Sequence, residues 1–597
     1  MSTPNNRRRD PGGIGAEAIL LWVGILAVVV IVGSVYVAMQ LSHRIAGTGA
    51  ALPRDPFSLL FGLLGGKLEW PGAAGWWVLG GMLAVFLALG VLVALVVHRI
   101  RRGRSRVDRA ATYMGRGRDV ESLSRKSAQA TAKRLGVADS PGVPIGRTVT
   151  GAHPLYGSWE DMHIDIWGPR TGKTTSRAVP AILDAPGAVL VTSNKRDVVD
   201  ATRDVRAKAG PVWVFDPQAI ALEEPSWWWN PLSYVTDEVK AAKLAEHFAA
   251  GSRDPGAKTD AYFDPAGQDL LAGLLLAAAL DNRAITDVYT WLTRPMDDTA
   301  VDILRAHDFT LTADQVAGVV DAPEKQRGGV FGTAQQMASC LTNRQVAAWV
   351  TPRGVADTRP HFDPAGFVRD GGTLYSLSKE GRGTAGPLVT ALTVAVVEAA
   401  EELAARSAGG RLSTPLVGVL DEAANVCRWR ELPNLYSHYG SRGIVLMTIL
   451  QSWSQGVEVW GESGMKKLWS ASNVKVYGGG VSEAAFLEDL SRTIGDYDRL
   501  ATSSSYGRGH RTVSQQLHRE RILDVADLAA MPKGRAVVVA SGSRPTLIRT
   551  QPWMTGPYAE EVRASIAAHD PQAERTIREA ETEVATVEAT VEAEGAS

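Results

Sequence analysis

The run Gly168-Pro169-Arg170-Thr171-Gly172-Lys173-Thr174-Thr175 has the residue types that grip a triphosphate. Glycine lets backbone N–H groups turn inward onto phosphate oxygens, and the helix that follows adds its positive end. Lys173 reaches the β and γ phosphates, the Thr174 hydroxyl holds Mg²⁺, and Thr175 adds a contact near the α phosphate. The spacing departs from the usual loop, with three residues between Gly168 and Gly172 instead of four. Either the loop is one residue shorter or Trp167 takes the first slot. Alone, such a match competes with a plain glycine turn between a strand and a helix.

A second group strengthens it. Pro415–Leu420 is an apolar strand ending in Asp421-Glu422. A carboxylate at the C-terminal edge of a parallel strand lies where ligands bind in open α/β sheets. There Asp421 holds the Mg²⁺ through water, and Glu422 polarises the water that attacks the γ phosphate. Farther on, Ser441-Arg442-Gly443 precedes the strand Ile444–Ile449, and Gln451 follows it. Gln451 is placed to sense the γ phosphate. Arg442 is placed as a finger offered to a neighbouring subunit.

These residues need a parallel sheet to position them. The segments 163–167, 188–192 and 211–215 read as short buried strands, with helices over 174–183 and 197–208 between them. From 238 to 348 the pattern is helical throughout. Alternation resumes with strands at 372–377, 416–420, 444–449, 474–477 and 536–540, and a long helix over 385–405. The expected organisation is an α/β domain over 146–237 and 349–560, interrupted by an all-α domain over 238–348.

Two apolar runs without a charged side chain, 19–39 and 76–97, precede that domain. Each has the roughly 20 residues that cross a bilayer. A cleaved signal peptide competes for the first run, but the run exceeds an h-region and a second span follows. Arg7 to Arg9 and Arg99 to Arg106 flank the spans, while the loop between holds only Arg44, Arg54 and Lys67. The bias puts both termini in the cytoplasm and the chain in the inner membrane. Residues 1–106 are thus a membrane anchor. Residues 107–145 read as a basic linker near anionic lipid, with 13 Lys/Arg against 4 Asp/Glu over 99–150.

Across all 597 residues, 63 Lys+Arg nearly balance 64 Asp+Glu, so any nucleic-acid contact must be local. Two cysteines exclude a disulfide scaffold and a cysteine-built zinc cluster. Residues 499–521, rich in Arg, Ser and Gly, read as a solvated loop; the sharper alternative is DNA contact through Arg508, Arg511, Arg519 and Arg521. Trp227 to Trp229 are read as packing where the helical insertion meets the sheet, rather than stacking on bases. Residues 561–597 read as an acidic, disordered tail.

The order of these motifs resembles the type IV coupling proteins of the TraG/TraD class. The resemblance covers about residues 10–560: two spans, GPRTGKTT, AVLVTSNKRD, PVWVFDP, WWWNPL, the helical insertion, VGVLDEAANV, SRGIVLMTILQS and RILDVADLAAMPKGRAVVVASG. It implies a RecA-like P-loop ATPase using ATP and Mg²⁺, with Lys173 and Thr174 as the Walker A pair and Asp421 and Glu422 as the Walker B pair. Gln451 matches its sensor position and Arg442 its arginine finger. It further implies a homo-hexamer that brings relaxase-bound DNA to the proteins of a conjugative secretion channel. A membrane receptor without hydrolysis and a pump like FtsK/SpoIIIE are the alternatives. The large helical insertion, and an acidic end in place of a winged helix, count against the pump.

Overall fold

The computed structural model describes residues 16–45, 52–53, 55–70, 72–102, 105–137, 140–252, 260–354, 356–381, 384–507, 510–582 and 585. Two compact units divide the chain. One holds residues 1–109, 495–522 and 588–597, and the other holds 110–494 and 523–587.

The first unit contains the apolar helices Ala16–Ile45 and Gly72–Arg102, with the short helix Pro56–Leu64 between them. Asp55 caps the short helix by accepting the Ser58 N–H at 2.7 Å. The long helices present apolar side chains outward; Trp77 is 82% exposed and Leu87 72%. Such a surface suits lipid rather than water. Among the described residues three helices are long and apolar enough to cross a membrane, the third being Phe263–Leu280. That helix lies in the helical insertion, where Leu270, Leu271, Leu274 and Leu275 are buried. It is a core helix, so length and hydropathy alone overcount the spans. Arg7 to Arg9, Arg54 and Arg104, used above for orientation, lie outside the described residues.

The same unit holds a β ribbon where a loop is expected. Strands β10 (Asp496–Gly507) and β11 (His510–Arg521) pair antiparallel from Asp496↔Arg521 to Gly507↔His510. Near its base Arg519 meets Asp496 at 2.7 Å and Arg499 meets Glu520 at 3.2 Å. Opposite charges face one another across the two strands, and that periodicity was hidden by the polar composition. Arg508 lies outside the described residues.

The second unit is built on an eleven-stranded sheet: β1 (Val143–Thr148), β2 (Pro154–Gly157), β3 (His163–Ile166), β4 (Val189–Ser193), β5 (Val212–Phe215), β6 (Thr373–Leu377), β7 (Leu416–Leu420), β8 (Ile444–Leu450), β9 (Val474–Tyr477), β12 (Arg535–Ala540) and β13 (Thr546–Arg549). Their order is β2-β1-β13-β12-β9-β3-β8-β7-β4-β6-β5. Strands β9 through β5 in that order are parallel. The remainder is an antiparallel extension. The parallel strands β3, β4, β6, β7 and β8 are buried along their whole length, which explains the apolar run of β7 and the nearly apolar run of β8, while β3 also buries His163 and Asp165.

Between β5 and β6 the chain makes the helical insertion, beginning at Glu238–Ser252 and including Phe263–Leu280 and Arg344–Val350. Trp227 joins it to the sheet. Its indole donates to the Val214 carbonyl at 3.2 Å, and its ring lies 5.5 Å from Trp349 and 5.3 Å from Phe362. Trp227 and Trp229 are buried and unavailable to stack on bases.

Two expectations need correction. Residues 107–145 are not a linker throughout: Val120, Leu123, Ala132 and Val137 are buried in the cores of the second unit. The expected tail begins inside a helix, Ala559–His569, whose Val562 and Ile566 are buried in the sheet's core. Helical backbone continues over 573–582, with Ala573, Ile577 and Ala580 packed on that core. Apolar residues recur there every three or four positions, a helical stripe inside an acidic segment. Residues 583–584 and 586–597 lie outside the described ones.

A buried ion pair fastens the strand and helix that flank the phosphate loop. Arg177 and Asp165 are fully buried, with Arg177 Nε donating to Asp165 Oδ2 at 2.7 Å. Arg177 also donates to the Pro144 carbonyl, and its Nη2 lies 3.4 Å from His163 Nδ1. Burial pushes the Asp165 carboxyl upward, with Arg177 opposing it, and burial holds His163 well below its ordinary value, so the ring is neutral. Arg177→Met strands a buried carboxylate and is expected to cost ~3–5 kcal/mol. Urea unfolding followed by tryptophan fluorescence checks this, and the double variant Asp165→Leu/Arg177→Met is expected to regain most of the loss.

Candidate active site

The site forms at the C-terminal ends of β3, β8, β7 and β4. The phosphate loop leaves β3, Glu422 follows β7, and Gln451 follows β8, the strand between them. Two interstrand spacings, about 10 Å, thus separate the lysine's strand from that of the carboxylates, a gap that a lysine side chain together with a carboxylate bridges. Lys173 Nζ lies 3.1 Å from Asp421 Oδ1 and also donates to Glu422 Oε1. Gln451 Nε2 donates to the same Glu422 oxygen at 2.7 Å. Four residues from distant parts of the chain share one spot.

The loop is one residue short, and Trp167 does not fill the gap. Its N–H continues the ladder to the Leu450 carbonyl at 2.9 Å, and its side chain is fully buried. Gly168 donates to the Gly479 carbonyl at 2.9 Å, and a Cβ on Gly168 would sit 2.0 Å from the Gly480 oxygen. Only glycine fits that approach. Gly172 (φ +89°) and Arg170 (φ +58°) make the turn, the arginine in a conformation that side chains disfavour. Pro169 and Arg170 are exposed at the tip. Thr171 Oγ1 donates to the Gly168 carbonyl at 2.6 Å and Thr175 Oγ1 to the Gly172 carbonyl at 3.1 Å. The helix then opens with a wide π-type turn over Thr174–Ala178, closed by the Val179 N–H on the Thr174 carbonyl. Such turns concentrate at functional sites.

Burial pushes the Asp421 carboxyl up to about 6, an effect that Lys173 partly opposes. Burial pushes Lys173 down, but the carboxylates of Asp421 and Glu422 outweigh it and its pKa is raised. Asp197, at the start of the helix after β4, is also raised by burial. Glu422 sits at φ +55°, a left-handed conformation for a residue with a side chain. Backbone strain of that kind persists where surrounding structure over-determines it.

Divalent metal fits these donors. Asp421 Oδ1 is buried and faces the Lys173 ammonium at 3.1 Å, so a hard oxygen would have lone pairs to share once that ammonium turned to phosphate. Mg²⁺ is suited by one or two carboxylates or hydroxyls, with water and phosphate completing the shell. Thr174 on the loop and Asp421 are the residues that would hold it. Arg442 is not brought to this site. It precedes β8, at the end opposite Gln451, and pairs with Glu401 at 2.8 Å.

Four residues went unread in the sequence. Gly480 backs the loop. Asn425 Nδ2 donates to Glu422 Oε2 at 3.2 Å, and Glu380 Oε1 accepts from Asn425 and Asn194 at 2.8 Å each. The triple glycine Gly478–Gly480 at a strand end was the available signal for the first. The asparagines had none.

Residues 415–533 match the family model described as the TraM recognition site of TraD and TraG. The match places this segment, which carries Asp421, Glu422, Arg442 and Gln451, in the TraG/TraD family. No curated protein matches the chain. Among solved structures, the bacterial conjugative coupling protein TrwBdeltaN70 in its unbound form is 17% identical, with a TM-score of 0.48, covering 68% of this chain and 88% of that one. TrwB in complex with ADP and Mg²⁺ is 16% identical, with a TM-score of 0.47, over 68% and 89%. VirB4 of Thermoanaerobacter pseudethanolicus is 13% identical, with a TM-score of 0.41, over 70% and 98%.

The raised Asp421 carboxyl carries a stability sign. Its folded value of about 6 exceeds the ordinary 3.8, so the native state holds this proton more tightly than the unfolded chain. Stability therefore falls as pH rises from roughly 4 to 6 and stays reduced above that. Asp421→Asn is expected to flatten this dependence and to be the more stable protein at neutral pH by on the order of 2 kcal/mol. Chemical unfolding at several pH values checks both.

Proposed function

We propose that this chain, which carries the TraG/TraD family segment, is a membrane-anchored P-loop ATPase that brings relaxase-bound DNA to a type IV conjugative secretion channel and helps drive its transfer. One observation carries the catalytic part. Lys173 meets the acidic pair Asp421-Glu422 across one intervening strand, and that strand supplies Gln451. A triphosphate entering the loop displaces the carboxylates from Lys173, and the ammonium then serves the β and γ phosphates. Thr174 and Asp421 would hold the metal, and Gly168 through Thr175 would wrap the phosphates. When bound, Mg²⁺ would supply neutralisation of phosphate charge. Glu422, freed from the lysine, takes a proton from the attacking water, with Gln451 holding the carboxylate in place.

The family match over 415–533 supports the coupling role. The two N-terminal apolar helices support a two-pass anchor in the inner membrane, with both termini in the cytoplasm and lipid as a partner. Arg442, at the far end of β8 from its own site, is offered to a neighbouring copy in a homo-hexamer. Arg511, Arg519 and Arg521 of the β10–β11 ribbon, together with Arg508, are the proposed DNA contacts.

The full chain in detergent is expected to hydrolyse ATP, faster with DNA, and Lys173→Ala is expected to abolish turnover and lower nucleotide affinity at least about 100-fold, a loss of ~3 kcal/mol. Tight Mg²⁺-dependent binding without turnover in any oligomeric state would instead identify a receptor. Nucleotide affinity should lose its Mg²⁺ dependence below a pH of about 6, where the Asp421 carboxyl takes up its proton.

A further inference from the structure

The carboxylate of Glu422 is held at both oxygens. Oε1 receives Gln451 at 2.7 Å together with the ammonium of Lys173. Oε2 receives Asn425 Nδ2 at 3.2 Å. The first two contacts belong to the phosphate chemistry already described. The third does not, because Asn425 comes from the short helix Ala423–Val426 that follows β7.

An asparagine amide has two faces, and only the nitrogen face attracts a carboxylate. Its oxygen would repel one. Asn425 uses its nitrogen twice, toward Glu422 Oε2 and toward Glu380 Oε1, the latter at 2.8 Å. Glu380 therefore selects the amide orientation in which the nitrogen faces Glu422. A second donor, Asn194 Nδ2, approaches the same Glu380 oxygen at 2.8 Å and holds that carboxylate in turn. Asn194 stands just beyond β4, Glu380 beyond β6 and Asn425 beyond β7, three neighbouring strands of the sheet. The network thus spans adjacent strand ends at the edge where the site lies.

The segment carrying Glu380 is itself fastened. Gln218 Oε1 accepts from Ser378 Oγ at 3.0 Å, from Lys379 N at 2.9 Å and from Ala385 N at 3.3 Å. Gln218 follows β5, where the chain departs for the helical insertion, and Ser378 follows β6, on which it returns. Glu380 is exposed, and among the described residues its carboxylate accepts from two amides.

We propose that Asn425 is a positioning residue for the base Glu422 and that Glu380 sets the orientation of its amide. The inference rests on the hydrolytic reading above and adds residues that touch neither nucleotide nor metal in that reading. Holding Oε2 keeps Glu422 in its strained backbone turn and fixes the direction in which Oε1 points once Lys173 has turned to phosphate. A neutral amide does this between two carboxylates without adding a third charge.

The test uses the full chain in detergent with DNA present, and steady-state ATP turnover between pH 5.5 and 8.5. Asn425→Ala is expected to lower kcat about tenfold while KM stays within about twofold. Glu380→Ala is expected to show a smaller loss of kcat in the same direction, and Glu380→Gln, which keeps an acceptor oxygen, to recover most of it. Asn425→Ala with wild-type kcat overturns the proposal. So does a loss confined to KM or to thermal stability. Should Asn425→Ala fail to fold, the exposed Glu380 pair decides alone: equal kcat in Glu380→Ala and Glu380→Gln overturns the proposal. Absence of turnover in the wild type overturns the hydrolytic reading itself, an outcome distinct from normal turnover in both variants.

Discussion

The site depends on one geometric fact: an ammonium and two carboxylates must meet across the width of a strand. Lys173 hangs from the loop after β3, and Asp421 and Glu422 stand beyond β7. The strand between them, β8, sets the gap and adds Gln451 at its end. Were β3 and β7 direct neighbours, the side chains would crowd; two strands farther apart, they would not meet. The parallel arrangement puts all four strand ends on the same edge, so the charges converge there and nowhere else along the sheet.

Convergence of charge in a buried place is costly, and the local architecture shows how it is sustained. The lysine faces both acids, while burial works against the charge on Lys173 and on Asp421. Below the loop, the fully buried Arg177–Asp165 pair ties the helix to β3, with the guanidinium also bonded to the Pro144 carbonyl of β1. A buried pair of this kind adds little net stability compared with apolar packing, but it fixes the register between helix and strand. The register matters because the loop is short and Gly168 touches the Gly480 backbone.

The helical insertion departs after β5 and returns on β6, two neighbouring strands, so a domain of this size is added without disturbing the sheet. Trp227, Trp349 and Phe362 form an aromatic joint there and draw the apolar force of the join into one compact spot. The apolar helices and the β10–β11 ribbon form a unit of their own. The ribbon lacks a third strand, and paired opposite charges hold its base.

Much of this was legible in the residues. Unbroken apolar runs identified the buried parallel strands, because a strand covered on both faces has no reason to alternate. The types and order of Gly172, Lys173, Thr174, Asp421 and Glu422 singled out the loop and the acidic pair that the fold brings together, and uncharged runs of about 20 residues marked the apolar helices. Strand order was invisible, since nothing in a local segment records its neighbour in the sheet. For the same reason the antiparallel extension, the Gly168–Gly480 contact and the Asn194–Glu380–Asn425 bridge came only with the fold: each joins groups far apart in the chain through backbone or amide chemistry that is common everywhere. Composition also misled where periodicity was faint, at the ribbon and at the helical start of the acidic tail. Local sequence determined which groups were available to bind phosphate and metal; tertiary structure decided which of them meet, because distances between strands are set by the whole sheet and by no single stretch of it.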